Sequence, residues 1–282
     1  MGVRIIVDST ADVTCEVEKR LYVVPLTINF GDEEFIDGVT INHKQFYEKL
    51  IESDVLPTTS QATPDAFDSF FKEAVNAGDS VVAITLSSKL SGTCQSANIA
   101  AADYEGKVFV VDSKSVAIGT GILAEMALKL ADRGLEAGEI AEILCAEREN
   151  IRVIALLDTL EYLKRGGRIS KTTAMAGTLL SIKPVVEIRD GEVGILGKAR
   201  GSKQGNNLLV AEIENSGGVD FSKPFLLGYT GLTDVMLKKY IEDSGFLWQG
   251  HTENLPYTVV GSVVGTHIGP GVVAAAYFKN TK

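Results

Sequence analysis

Six apolar, β-rich residues, Val81 to Leu86, run into Ser87-Ser88-Lys89-Leu90-Ser91-Gly92-Thr93 and then into an alanine-rich segment that reaches Tyr104. The run reads as a buried strand and the segment as a helix, so a hydroxyl cluster marks the handover between them. A helix start presents unpaired N–H groups and a partial positive charge; Ser91 and Thr93 add hydroxyl donors, and Gly92 lets a ligand approach the backbone. The junction has the makings of an anion site. A serine that merely caps its own helix leaves the same pattern.

Strand and helix alternate through the first half. Val3 to Val7 is a strand closed by Asp8-Ser9-Thr10, a short helix runs from Asp12 to Arg20, and Val23 to Phe30 reads as a second strand. Asn42 to Ile51 carries Phe46, Tyr47, Leu50 and Ile51 at helical spacing, and Thr63 with Pro64 suits the cap and first turn of a further helix. Lys107 to Val111 followed by Asp112-Ser113 repeats the pattern of Val7-Asp8-Ser9. Such alternation is that of an α/β fold, whose ligands sit at the carboxyl edge of the parallel strands. Asp8, Asp112 and the Ser87 to Thr93 loop are expected at that edge, both aspartates as turn residues holding backbone amides. Thr58-Thr59-Ser60-Gln61 is either an ordinary loop or a second hydroxyl wall beside Ser91.

A soft boundary follows the helix that ends near Asn150, dividing residues 1–150 from residues 151–282. The second half reads as a mixed sheet with helices on it. Its strands are Val153 to Leu157, Pro184 to Ile188 and Val193 to Lys198 around an Asp190-Gly191 hairpin, Phe225 to Tyr229, Val259 to Val264, and Val272 to Phe278. Helices are expected at Thr159 to Lys164, Thr172 to Leu180, Gln204 to Glu214 and Asp234 to Asp243. Tyr257 to Phe278 is long enough to cross a membrane, but its glycines and Pro270 make it two β-rich runs around a turn.

Several function classes lose support. A net charge of −10 argues against a general nucleic-acid binder. Three distant cysteines suggest neither a disulfide framework nor a metal site, and with no targeting signal they point to the cytoplasm. Phosphate-loop, nucleophile-elbow, H-E-x-x-H and C-x-x-C motifs are missing. Gly119-Thr120-Gly121 superficially resembles a dinucleotide fingerprint, yet it lies inside a helix, where close packing explains it.

Two features remain. Lys164 to Lys203 holds nine basic residues against three acidic ones, a window of +6 that is either a docking face for something anionic or solvated surface. Arg165, Arg168 and Arg200 each sit beside glycine there. His267 is read on a glycine turn between two strands, able to point a donor into a cleft; a lone histidine among apolar strands is more commonly a core residue.

Taken in order, these segments resemble the DegV family, which includes the fatty-acid-binding subunits of bacterial fatty acid kinase. The resemblance covers essentially the whole chain: Val7-Asp8-Ser9-Thr10-Ala11-Asp12, Thr59-Ser60-Gln61, Ser87 to Thr93, Leu163 to Ser170, Arg200-Gly201, and Gly265 to Gly271. It implies a Rossmann-like parallel-sheet domain and a smaller mixed-sheet α/β domain, with a long-chain fatty acid in a tunnel between them. Thr59, Ser91 and His267 would meet its carboxylate, with Ser60, Ser88, Gly92 and Thr93 nearby. Arg165, Arg168 and Arg200 would face an ATP-dependent kinase partner, so this chain would present substrate without catalysing, and with no cofactor. A transient membrane contact is compatible with that role. A second reading makes the chain an enzyme for a small carboxylated or phosphorylated metabolite, with His267 as general acid or base.

Overall fold

A computed structural model describes residues 2–169, 182–251 and 254–281. The expected helix at Thr172 to Leu180 lies outside the described residues. In chain order the described elements of the first half are β1 (Val3–Asp8), α1 (Cys15–Glu18), β2 (Tyr22–Val24), β3 (Thr27–Phe30), β4 (Glu33–Ile36), α2 (His43–Glu52), β5 (Thr58–Ser60), α3 (Pro64–Asn76), β6 (Ser80–Thr85), α4 (Thr93–Ala101), β7 (Val108–Asp112), α5 (Ile118–Asp132) and α6 (Ala137–Glu147). Then come β8 (Ile151–Leu156), α7 (Glu161–Arg165), β9 (Ile182–Arg189), β10 (Glu192–Arg200), α8 (Gly201–Asn215), β11 (Leu226–Tyr229), α9 (Val235–Asp243), α10 (Gly245–Trp248), β12 (Tyr257–Val259), α11 (Ser262–Ile268) and β13 (Val273–Phe278).

The described strands form three sheets. Strands β2-β1-β6-β7 form an all-parallel sheet, as continuous apolar runs buried on both faces require. Strands β10-β9-β8-β13-β11-β12 form a mixed sheet in which only β11 and β12 run parallel. Strands β4-β3-β5 make a small antiparallel sheet. Helix α5 lies between the two large sheets, against β1 and β6 on one side and β8, β11 and β13 on the other. Almost every residue from Ile118 to Leu130 is buried, which suits a helix covered all round. Gly121 lets that helix approach: a Cβ there would fall on the backbone carbonyl of Asp12. The glycine run is packing, as its position in a helix implied.

Local signals account for the boundaries. The Thr63 hydroxyl accepts from Ala66 N–H at 3.2 Å with Pro64 in the first turn of α3, and Asn42 with Gln45 forms a reciprocal capping box on α2. Asp190 and Gly191 are both left-handed, with φ of 50° and 83°, as a two-residue hairpin turn needs.

The structure corrects three expectations. Val23 to Phe30 is not one strand, because Pro25 lacks an N–H and breaks it; β2 joins the parallel sheet and β3 the small one. Ile51 is 57% exposed, off the buried face of α2. Val259 to Val264 is not a strand: β12 ends at Val259 and the chain turns at Gly261 into α11. Its β-branched residues read as strand because they suit half-buried surfaces, yet Val260, Val263 and Val264 are buried and border the interior cavity, and tertiary packing overrides the preference. His267 therefore stands in the last turn of a helix that ends at left-handed Gly269, not on a turn between strands. No helix among the described residues is long and apolar enough to cross a membrane.

Candidate functional site

The parallel sheet reverses its strand order between β1 and β6, because the chain leaves β1 toward β2 and returns on the other side. Loops after those strands part at the carboxyl edge and leave a crevice. Asp8 ties the two loops together. Its Oδ2 accepts from Leu86 N–H at 2.7 Å, and its Oδ1 accepts from the N–H and hydroxyl of Thr10 at 3.0 and 2.6 Å. Asp112 accepts from the N–H of Lys114 at 2.8 Å and of Ser88 at 3.3 Å. Both aspartates hold backbone amides.

Over this edge lies a cavity of about 930 Å³, its open mouth included. Leu26, Leu86 and Leu90 wall it on one side, and Ile118 closes it at the head of α5. The strands of the mixed sheet supply the other wall, with Val153 and Ala155 on β8, Val186 and Ile188 on β9, and Ala274 on β13. Strand alternation turns the intervening Glu187 side chain to the opposite face, where Arg189 pairs it at 2.7 Å.

Two polar side chains meet on its wall. Thr59 sits on β5 opposite Ile28, and its Oγ1 is 2.8 Å from Nε2 of His267. Burial, with the neighbouring positive charge of Arg168 as a smaller cause, lowers the His267 pKa to about 4. The ring is neutral at pH 7 and offers one donor and one acceptor nitrogen. Its Nδ1 is buried with no hydrogen-bond partner among the described residues, against Gly166, where a Cβ would strike that nitrogen. Ser91 lines the same cavity. Its Oγ stands 2.9 Å from Oγ1 of Thr93 and accepts from Thr93 N–H at 3.3 Å, so the serine faces the cavity and also touches the first turn of its helix.

The remaining expected residues occupy different places. Ser60 lines the cavity from an exposed position. Thr93 is buried behind Ser91, and Gly92 faces the side chain of Gln61, which donates to Ser96 Oγ at 3.0 Å; neither forms the wall. Ser88 is exposed and outside it. Arg165 and Arg200 are exposed at the surface, whereas Arg168 is half-buried and lines the cavity beside His267. Gln61 and Gly166 both lie in segments the sequence pointed to, but neither was given a role of its own; the contact of Gly166 with the His267 ring appears only in the fold. Among the described residues no group of His, Cys, Asp and Glu could hold a metal ion.

A family model described as "Uncharacterised protein, DegV family" matches residues 2–280. The chain belongs to the DegV family. A DegV domain-containing protein of Caldanaerobacter subterraneus subsp. tengcongensis is 33% identical over 282 residues, which is 98% of each chain. Among solved structures, a DegV family protein from Thermus thermophilus, described for its fatty acid binding, is 31% identical with a TM-score of 0.88, over 99% of this chain and 100% of that one. DegV from Bacillus subtilis, described as a fatty acid binding protein, is 27% identical with a TM-score of 0.83, over 99% and 100% of the two chains. The parallel sheet, the mixed sheet and the α/β layering are thus those of DegV folds.

Proposed function

We propose that this DegV family member binds a long-chain fatty acid in the cavity, with the carboxylate toward Thr59, Ser91 and His267, and that it presents the head group to an ATP-dependent kinase. One observation carries the reading: a cavity with almost wholly apolar walls that also carries Ser91 and the Thr59–His267 pair, whose polar atoms stand 2.8 Å apart. Two relatives described as fatty acid binding support it.

The chemistry divides between tail and head. A tail of about fourteen methylenes at roughly 0.8 kcal/mol each contributes at most about 11 kcal/mol before ordering costs. Each hydrogen bond to a charged carboxylate adds about 1.5 to 3 kcal/mol. The tail supplies affinity and the hydroxyls supply register. Register is what a phosphoryl acceptor needs, since transfer depends on where the attacking oxygen stands. Ser60, Gly92 and Thr93 shape the loops around that oxygen. Arg165 and Arg200 form the face offered to the kinase, with Arg168 between that face and the head group. A cytoplasmic carrier that touches the membrane transiently to load is consistent with this arrangement.

The enzyme reading fares worse. An imidazole with a pKa of about 4 is a weak proton acceptor at neutral pH, and the apolar walls do not suit a phosphorylated metabolite. Organic extraction of the purified protein followed by mass spectrometry decides between them. A co-purifying fatty acid, depleted in His267→Ala, is the expected result; an empty cleft with turnover of a polar metabolite would replace the carrier by the enzyme.

A further inference from the structure

We propose that Asp12 and Tyr47 are positioning residues for the polar end of the cavity: they grip opposite ends of one peptide unit, Val260–Gly261, and so set the rotation of the helix that carries His267. The inference rests on the fatty acid reading above.

The grip is direct. Tyr47 donates from its hydroxyl to the Val260 carbonyl at 2.9 Å, and Gly261 N–H donates to Asp12 Oδ1 at 2.8 Å. Both side chains are buried, Tyr47 fully and Asp12 with 5% exposure. Helix α11 has seven residues and no side-chain cap of its own, so this peptide is where its orientation is decided.

Sterics close the same joint. A Cβ at Gly261 would stand 2.9 Å from Asp12 Oδ1 and 3.2 Å from His43 Nε2, and one at Gly265 would stand 2.6 Å from the Tyr47 hydroxyl. The helix cannot shift toward α2 or away from Asp12 without losing a bond or meeting an atom. A helix turns about 100° per residue, so a small slip at Gly261 swings the His267 ring away from its neighbour. The Thr59 contact at 2.8 Å leaves little slack. Asp12 is itself fixed by α5, where Gly121 leaves room for its backbone carbonyl.

The test uses the full chain and two probes of equal tail length, hexadecanoic acid and hexadecan-1-ol. Tyr47→Phe and Asp12→Ala should each weaken binding of the acid about tenfold and leave the alcohol within about twofold. Asp12→Asn, which keeps an acceptor for Gly261 N–H, should behave as the unaltered protein. Imidazole nitrogen NMR should show the His267 signal shifted in Tyr47→Phe and in Asp12→Ala and unshifted in Asp12→Asn. Equal losses for acid and alcohol would overturn the proposal, since a merely structural role weakens both. An unshifted His267 signal would overturn it too. If His267→Ala itself leaves acid binding intact, the fatty acid reading falls; if His267→Ala discriminates and Tyr47→Phe does not, only the positioning claim falls.

Discussion

Arg168 donates from Nε to the carbonyl of Leu90, 3.1 Å away, and so ties the glycine-rich segment after α7 to the loop that presents Ser91. Its Nη1 returns to the Gly166 carbonyl at 2.7 Å. Arg165, by contrast, is exposed and pairs with Glu161 at 2.7 Å, and Arg200 is exposed. The three arginines are therefore not equivalent. Arg168→Ala should reduce both fatty acid retention and phosphoryl transfer in an assay with an ATP-dependent fatty acid kinase. Arg165→Ala and Arg200→Ala should slow transfer and leave lipid binding unchanged; wild-type transfer in both would remove the docking assignment.

The proposed head-group contacts set a magnitude. Thr59→Val and His267→Ala each remove one polar partner from the cavity end, and a hydrogen bond to a charged group is worth about 1.5 to 3 kcal/mol, or roughly 10- to 100-fold in Kd. Titration calorimetry with a long-chain fatty acid measures this loss. An unchanged Kd in both variants would move the carboxylate elsewhere.

Stability should fall on acidification because of His267. Its pKa is about 4 in the folded protein against an ordinary 6.5, so between those values the unfolded chain binds a proton that the folded chain refuses. The stabilisation is present above pH 6.5 and is lost as the pH falls toward 4, by up to about 3 kcal/mol. Urea unfolding near neutrality and near pH 4.5 should therefore show a larger loss for the unaltered protein than for His267→Gln. Buried Asp8 and Asp12, whose pKa values burial raises, are common to both proteins and drop out of the comparison.

Adjacent glycines should behave differently. A Cβ at Gly166 would strike His267 Nδ1, an overpacking of about 1 to 3 kcal/mol delivered to the site itself. Gly167 has a φ of 70° and open space around it, so alanine there strains only the backbone. Gly166→Ala should weaken fatty acid binding, whereas Gly167→Ala should lower the Tm and leave binding intact.

What could be seen in the sequence was what is local. The runs at Val3, Val81 and Val108 are parallel strands, and their following polar loops share one edge because α/β connectivity leaves no other arrangement. The helix carrying His267 was hidden, since Val-rich residues between glycines look like strand until a partner such as α2 covers them. Likewise the sequence leaves Thr58 to Gln61 open between a loop and a hydroxyl wall, and pairing with β3 is what makes Thr59 part of a strand. The apolar cavity wall was invisible for a different reason. Leu26, Ala155 and Val186 come from segments that no periodicity links, and a void is a property of what several elements fail to fill.

On the mixed sheet, Ala155 of β8 and Ala274 of β13 are cross-strand partners, and both border the void. Two methyl groups facing each other where a sheet would ordinarily carry valines or isoleucines amount to a notch cut into a flat floor. A notch of that kind is tunable by single codon changes that add a few carbons on a rigid, fully paired strand, without touching the polar end. On the fatty acid reading, the width of the channel and the grip on the head group are therefore set by separate residues.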